Sequence, residues 1–237
     1  MFLQKLKYIS IFCLDVNLII VSLFCFILIS CETNNTDNTT AASAFALVAN
    51  NSSTKDTTSN TSDSSCTGNG PCKMFVPANQ LNLGINLGIS GLDNHCNNAS
   101  DKPSGGGTYK AMVTTGNSRR ACSTANCSGG TSEHINWVLK PNKEYRRFDG
   151  TTVVGTTNAN GIFTFPLTNS PYHVVNFTDN IVTGMNSDWT NSSDDCSGWS
   201  GNTQSFAGGG YNNTSSNLIN KGIYGCTTTT RALCVEQ

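Results

Sequence analysis

The chain has 237 residues, with 14 Lys+Arg against 15 Asp+Glu, a net charge of -1, and only 12% charged residues. That balance argues against a general electrostatic binder of nucleic acid. Thirty Asn and 29 Thr, with 22 Gly and 6 Pro, favour strands, turns and loops and argue against an all-helical bundle.

Lys5 and Lys7 open the chain with positive charge, and residues 18–29 read LIIVSLFCFILI, an apolar run of twelve. A membrane span needs about 20 such residues, so the run fits the h-region of a secretion signal over residues 1–30. The run ends Leu28-Ile29-Ser30-Cys31. This resembles a bacterial lipobox, closer to the looser spirochaetal form. It implies cleavage before Cys31, acylation of its thiol and amine, and a partner that is the membrane itself. Each buried CH₂ of an acyl chain contributes ~0.8 kcal/mol to anchoring. An ordinary signal peptide with a chance Cys, or an uncleaved anchor, is the alternative.

Residues 31–65 are almost entirely Thr, Asn, Ser, Asp and Ala, broken by one apolar patch at 44–49. Such a segment buries too little surface to offset its ordering entropy. It reads as a disordered tether, with an r.m.s. span of roughly 30–35 Å. Asn-x-Ser/Thr triplets, as at Asn38, Asn51, Asn98 and Asn213, arise by chance in so Asn- and Thr-rich a chain, and the lipobox argues for bacteria.

Residues 66–237 are left to fold, enough for one ordinary domain. They carry eight cysteines: Cys66, Cys72, Cys96, Cys122, Cys127, Cys196, Cys226 and Cys234. An even number in an exported domain implies disulfides, and eight allow 105 connectivities. Cys66/Cys72 and Cys122/Cys127 each span a turn short enough to close. Zinc is disfavoured: there is no Cys-x-x-Cys, and His95, His134 and His173 are scattered.

In chain order, residues 73–76 suggest a strand. A helix capped by Ser90 is expected through Ala99, with Leu92, Cys96 and Ala99 on one stripe and Asp93 in its first turn. Pro103 and Gly105-Gly106-Gly107 end it. Strands follow at 109–113 and 137–139. A hairpin is expected from Val153-Val154 through the turn at 158–161 to Ile162-Phe163-Thr164-Phe165. Further strands fall at 181–185 and 231–235, the last with Ala232 and Cys234 on one face. The sum is α+β: loop-rich antiparallel sheets with one early helix, stapled by disulfides.

A helix with Cys96, then YKAMV, TGMNSDW, CSGW, Cys226 and a terminal ALCVE resembles the C-type-lectin-like superfamily and its endostatin-like relatives. More narrowly, residues 117–145 (NSRRACSTANCSGGTSEHINWVLKPNKEY) and 149–169 (DGTTVVGTTNANGIFTFPLTN) resemble a family of leptospiral surface lipoproteins of unknown function. Ser118 interrupts that family's Asn-Arg-Arg. The resemblance covers essentially all of the ectodomain. By position it implies disulfides Cys96–Cys234 and Cys196–Cys226, which the two short pairs complete. It places Trp199, Phe206 and Tyr211 in the inner loop. It also implies an outer-membrane, cell-surface location and adhesion to host matrix proteins or complement regulators.

The strings that hold Ca²⁺ in sugar-binding lectin-like domains are missing; Asp188, Asp194 and Asp195 are the oxygen donors near the loop. Glu133-His134 and Tyr172-His173 sit in no recognisable catalytic motif. The expectation is therefore a non-enzymatic protein with no cofactor and no metal. Arg119, Arg120, Lys140, Lys143, Arg146 and Arg147 fall within 29 residues of an ectodomain with 11 basic and 10 acidic groups. Arg119, Arg120, Arg146 and Arg147 are the candidate ligand-binding residues, for sulfated glycans or acidic proteins. Two solvated turns, with Glu133, Glu144 and Asp149 compensating, are the competing view. The leading function is a surface lipoprotein that binds host matrix or plasma proteins. A structural envelope lipoprotein and a Ca²⁺-dependent lectin are the alternatives.

Overall fold

The computed structural model describes residues 66–237 except 84, 86, 106 and 173–179. The expected signal over residues 1–30, Cys31, the expected tether over 31–65 and His173 lie outside the described residues. These residues fall in one compact unit, Thr57–Gln237.

Two five-stranded sheets carry the fold, with one α-helix of more than a turn among the described residues. The first sheet contains β1 (Cys72–Phe75), β3 (Tyr109–Ala111), β4 (Glu144–Arg146), β5 (Val153–Thr156) and β10 (Cys234–Glu236), in the order β3-β10-β1-β4-β5. The second contains β2 (Leu81–Asn82), β6 (Ile181–Val182), β7 (Ser205–Gly209), β8 (Gly222–Gly225) and β9 (Thr229–Ala232), in the order β2-β9-β6-β7-β8. The class is α+β and loop-rich, as the composition implies. The sheets are not purely antiparallel: β1 with β4, and β6 with β9, run parallel.

The closing segment explains the layout. Only Leu233 separates β9 from β10, so one stretch of chain serves both sheets. In the first sheet β10 lies between β1 (Met74↔Val235, Phe75↔Cys234) and β3 (Cys234↔Ala111, Val235↔Lys110). Alternate residues enter different cores. Met74, Leu233 and Val235 pack with Tyr145, Phe163 and Trp189. Phe75, Ala232 and Cys234 pack with Tyr109, Leu92 and Trp199. Burial on both faces is why these strands read as continuous apolar runs; each large side chain contributes roughly 1.5–3 kcal/mol.

Helix α1 (Gly88–Asn97) buries Leu92 and Cys96 against this second core, the stripe its period implies. Its cap differs from expectation. Leu87 stands at the N-cap with no side-chain cap bond, and Ser90 and Asp93 lie inside the helix. Asp93 reaches sideways instead. Arg119 Nη1 and Nη2 donate to its two oxygens at 2.8 and 2.7 Å. The Ala111 N–H donates to Asp93 Oδ1 at 3.0 Å, and Arg119 Nη1 also donates to the Ala111 carbonyl at 2.9 Å. One turn on, Asn97 takes the Tyr109 N–H and donates to the Tyr109 carbonyl, both at 2.8 Å. Three side chains thus satisfy the outer edge of β3 where a sixth strand would pair, leaving no open template there.

Other expectations change. Residues 137–139 form no strand; Trp137 Nε1 instead donates to the Gly161 carbonyl at 3.0 Å. The 158–161 turn exists, but β5 pairs with β4 rather than with Ile162-Phe163-Thr164-Phe165. A single bridge, Thr157↔Phe163, survives, because Phe163 turns into the core and Phe165 stacks on Trp189 at 5.6 Å. The 181–185 strand stops after Val182, because Gly184 adopts φ +65° and a Cβ there would meet the Thr114 carbonyl.

Four disulfides close the domain: Cys66–Cys72, Cys122–Cys127, Cys96–Cys234 and Cys196–Cys226, with Cα separations of 4.4, 4.7, 5.5 and 5.8 Å. Cys196–Cys226 anchors an unusual turn. Cys196, Ser197, Gly198 and Trp199 all have left-handed φ, 52°, 56°, 69° and 64°. Each non-glycine residue there costs roughly 1–2 kcal/mol. The disulfide and the Trp199 Nε1 bond to the Thr114 carbonyl at 3.1 Å hold it in place.

Replacing Arg119 by Ala should lower stability by about 3–5 kcal/mol, since it breaks a buried ion pair and uncovers an edge. Asn97→Ala should cost about 1–3 kcal/mol for two unpaired backbone groups. Urea unfolding with disulfides intact measures both. Removing Cys96 and Cys234 together should cost about 4–5 kcal/mol, given the length of the loop they close.

Candidate binding groove

Of the four arginines expected to form one ligand face, Arg119 does not belong to it. It is fully buried on Asp93, because the Ala111 carbonyl and the Asp93 carboxylate need a donor. The others are half-buried and each serves its own loop. Arg120 Nε donates to the Glu133 carbonyl at 3.0 Å. Arg146 pairs with Glu144 at 2.6 Å and donates to the Gly150 carbonyl at 3.1 Å. Arg147 Nε donates to the Ser170 carbonyl at 2.8 Å. Lys140 and Lys143 converge on the Cys66–Cys72 loop, donating to the Cys66 and Gly68 carbonyls at 3.0 and 2.6 Å. These cations brace loops.

Glu133 is not a solvated counter-charge. It is 6% exposed, and its carboxylate gathers the disulfide loop 122–129. Thr124 Oγ1 donates at 2.6 Å, and the N–H groups of Thr124, Gly129 and Ser123 at 2.7, 2.5 and 2.6 Å. The Thr124 hydroxyl is the largest influence. Burial opposes it, but with the three N–H groups it holds the carboxyl down at about 2 against an ordinary 4.5. Neighbouring His134 is pushed below its usual pKa by burial.

The loop carboxylates are engaged too. Asp188 accepts from the Thr190 hydroxyl at 2.6 Å, Asp194 from the Ser205 hydroxyl at 2.5 Å, and Asp195 from the Gly198 N–H at 2.9 Å. Among the described residues no group of three or more His, Cys, Asp or Glu is placed to hold a metal ion. The inner-loop aromatics Trp199, Phe206 and Tyr211 are 0%, 1% and 6% exposed, so they build core.

The described surface does contain a groove of 330 Å³ between helix α1 and strand β2. Gly91, Asn94 and His95 of the helix, with Asn98 at its C-cap, stand at i, i+3, i+4 and i+7, one face turned away from the buried Leu92 and Cys96. Asn79, Gln80 and Asn82 face them across the groove, and Leu81, Ile85 and Leu87 supply apolar surface. Ile85 is 62% exposed. No lining side chain carries a formal charge at neutral pH, since burial lowers the His95 pKa, with Asn79 and Asp101 pulling the other way and Arg231 adding to the burial effect. The wall donates and accepts hydrogen bonds through amides and offers an aliphatic contact. It suits an uncharged polar chain with an apolar side group. The sequence signal was available: the Asn- and His-bearing face of α1 has no structural duty in the apolar stripe.

Glu133 yields a pH prediction. Its folded pKa lies below the unfolded value, so its contribution is present above about pH 4.5 and disappears as pH falls toward about 2. Glu133→Gln should be less stable than wild type at neutral pH and converge on it in that acid window. Thermal melts across pH measure this.

No curated protein matches the chain. A family model described as a protein of unknown function, DUF1554, matches residues 78–217, a span that runs from the groove through the Glu133-clamped loop to the inner disulfide loop. That is more than half of the chain, and the protein belongs to the DUF1554 family.

Proposed function

We propose that this protein is a non-enzymatic, lipid-anchored lipoprotein of the bacterial outer surface, and that its ectodomain binds a host matrix or plasma protein. The observation that carries the reading is the uncharged, amide-lined groove beside α1 with Ile85 exposed at its rim. Its chemistry favours a protein partner over sulfated glycans: peptide groups match the amides, and an aliphatic side chain matches Ile85. Anchoring rests on Leu28-Ile29-Ser30-Cys31 after an apolar run. A C-type-lectin-like assignment draws support from the helix cysteine bonded to the terminal-strand cysteine, with a second pair inside the late loop. The arginines shift from ligand contacts to loop braces in this reading.

Purified residues 66–237 with disulfides intact, tested against a panel of matrix and plasma proteins, should bind at least one. Ile85→Asp and Asn94→Arg should each weaken that binding by about tenfold or more, as expected of contacts near an interface centre. The triple Arg120→Ser/Arg146→Ser/Arg147→Ser variant should bind like wild type. Equal binding by both groove variants would remove the groove from the proposal. Labelled palmitate should enter wild type and not Cys31→Ser; labelling of both would remove the anchor.

A further inference from the structure

We propose that Asn69 is a site of spontaneous deamidation, a chemical modification independent of the binding reading. The chain contains two Asn-Gly steps, Asn69-Gly70 and Asn160-Gly161. Glycine matters because it has no Cβ to hinder its own amide nitrogen. That nitrogen attacks the asparagine side-chain carbonyl carbon. The new N–C bond closes a five-membered succinimide, the C–NH₂ bond breaks, and ammonia leaves with the proton from the attacking amide. Water then opens the ring at either carbonyl, giving aspartate or isoaspartate. The sum is loss of ammonia and gain of water, with no change of oxidation state.

The two steps differ in what holds them. At Asn160-Gly161 every participant is tied. The Gly161 N–H, the nucleophile, donates to the Asn158 carbonyl at 3.0 Å. Asn160 Nδ2 donates to the Cys127 and Asn126 carbonyls at 3.0 and 3.3 Å, and the Asn160 N–H to Asn158 Oδ1 at 2.9 Å. Reaction there requires breaking these bonds first. Asn69 is exposed at the tip of the 66–69 turn, and among the described residues no hydrogen bond engages its side chain. The surroundings also favour the product. Lys143 and Lys140 already donate to the Gly68 and Cys66 carbonyls, so the new negative charge joins a loop that holds two ammonium groups. The isoaspartate form adds a backbone atom inside a loop already closed by Cys66–Cys72.

The test incubates the intact, disulfide-bonded full chain at mildly alkaline pH and follows it by isoelectric focusing and peptide mass mapping. An acidic species should accumulate, with the amide-to-acid mass change at residue 69. Each ~1.4 kcal/mol of barrier is about tenfold in rate, so Asn69 should outpace Asn160 by about tenfold or more. Asn69→Gln should abolish that species and Gly70→Ala should slow it. After reduction and denaturation the two sites should react at similar rates, which attributes the difference to the fold. Equal native rates at the two sites, faster reaction at Asn160, or an undiminished acidic species in Asn69→Gln would overturn the proposal.

Discussion

The closing segment Thr229–Glu236 belongs to both sheets, and the rest of the structure waits on it. β9 pairs with β2 and β6, while β10 fills the slot between β3 and β1. Until that segment arrives, β1 and β3 have no common neighbour, and the helix has no partner for Cys96. Pairing Met74 with Val235 joins residues from opposite ends of the domain. Such non-local contacts must overcome loop-closure entropy before any is rewarded. The Cys96–Cys234 bond reinforces the same junction.

Around that junction the interior treats polar side chains as substitutes for missing backbone. Asp93, Asn97 and Arg119 close an edge strand; Glu133 gathers three N–H groups and two hydroxyls of one loop. With few charged residues, the domain spends several of them inside. This explains why Arg119 is withdrawn from the surface and why Arg120, Arg146 and Arg147 are tied to loop carbonyls: carbonyls of irregular loops need donors, and a guanidinium can satisfy two or three from one position.

The legible parts of the sequence were those governed by local physics. The early helix and its buried stripe follow from period, and the short disulfides from spacing. The terminal strands, buried on both faces, stand out as apolar runs. The long disulfides were not separable by spacing and came from resemblance. β7 and β8 are not legible because Ser205-Phe206-Ala207-Gly208-Gly209 and Gly222-Ile223-Tyr224-Gly225 look like loop. The β7 glycines answer to packing: a Cβ on Gly209 would collide with the Leu218 carbonyl, and one on Gly208 with the Tyr224 ring. β4 is not legible because Glu144 and Arg146 flank its one buried residue, Tyr145. Asp93 looks from sequence like a dipole partner, but its real partner, Arg119, lies 26 residues away. The groove does not stand out in the sequence because its Asn residues look like the rest of an Asn-rich chain.

The side-chain closure of β3 also limits how this family can diverge. An edge covered by a neighbouring strand tolerates almost any side chain, because backbone bonds backbone. Here the same task falls to three identities at three positions, and losing one strands the others: without Arg119, Asp93 is a charge beside an apolar core; without Asp93, Arg119 is a buried cation. Replacements at 93 and 119 must therefore travel together or pass through a destabilised intermediate. The pair should drift as a unit across relatives while the surface loops beside it change freely.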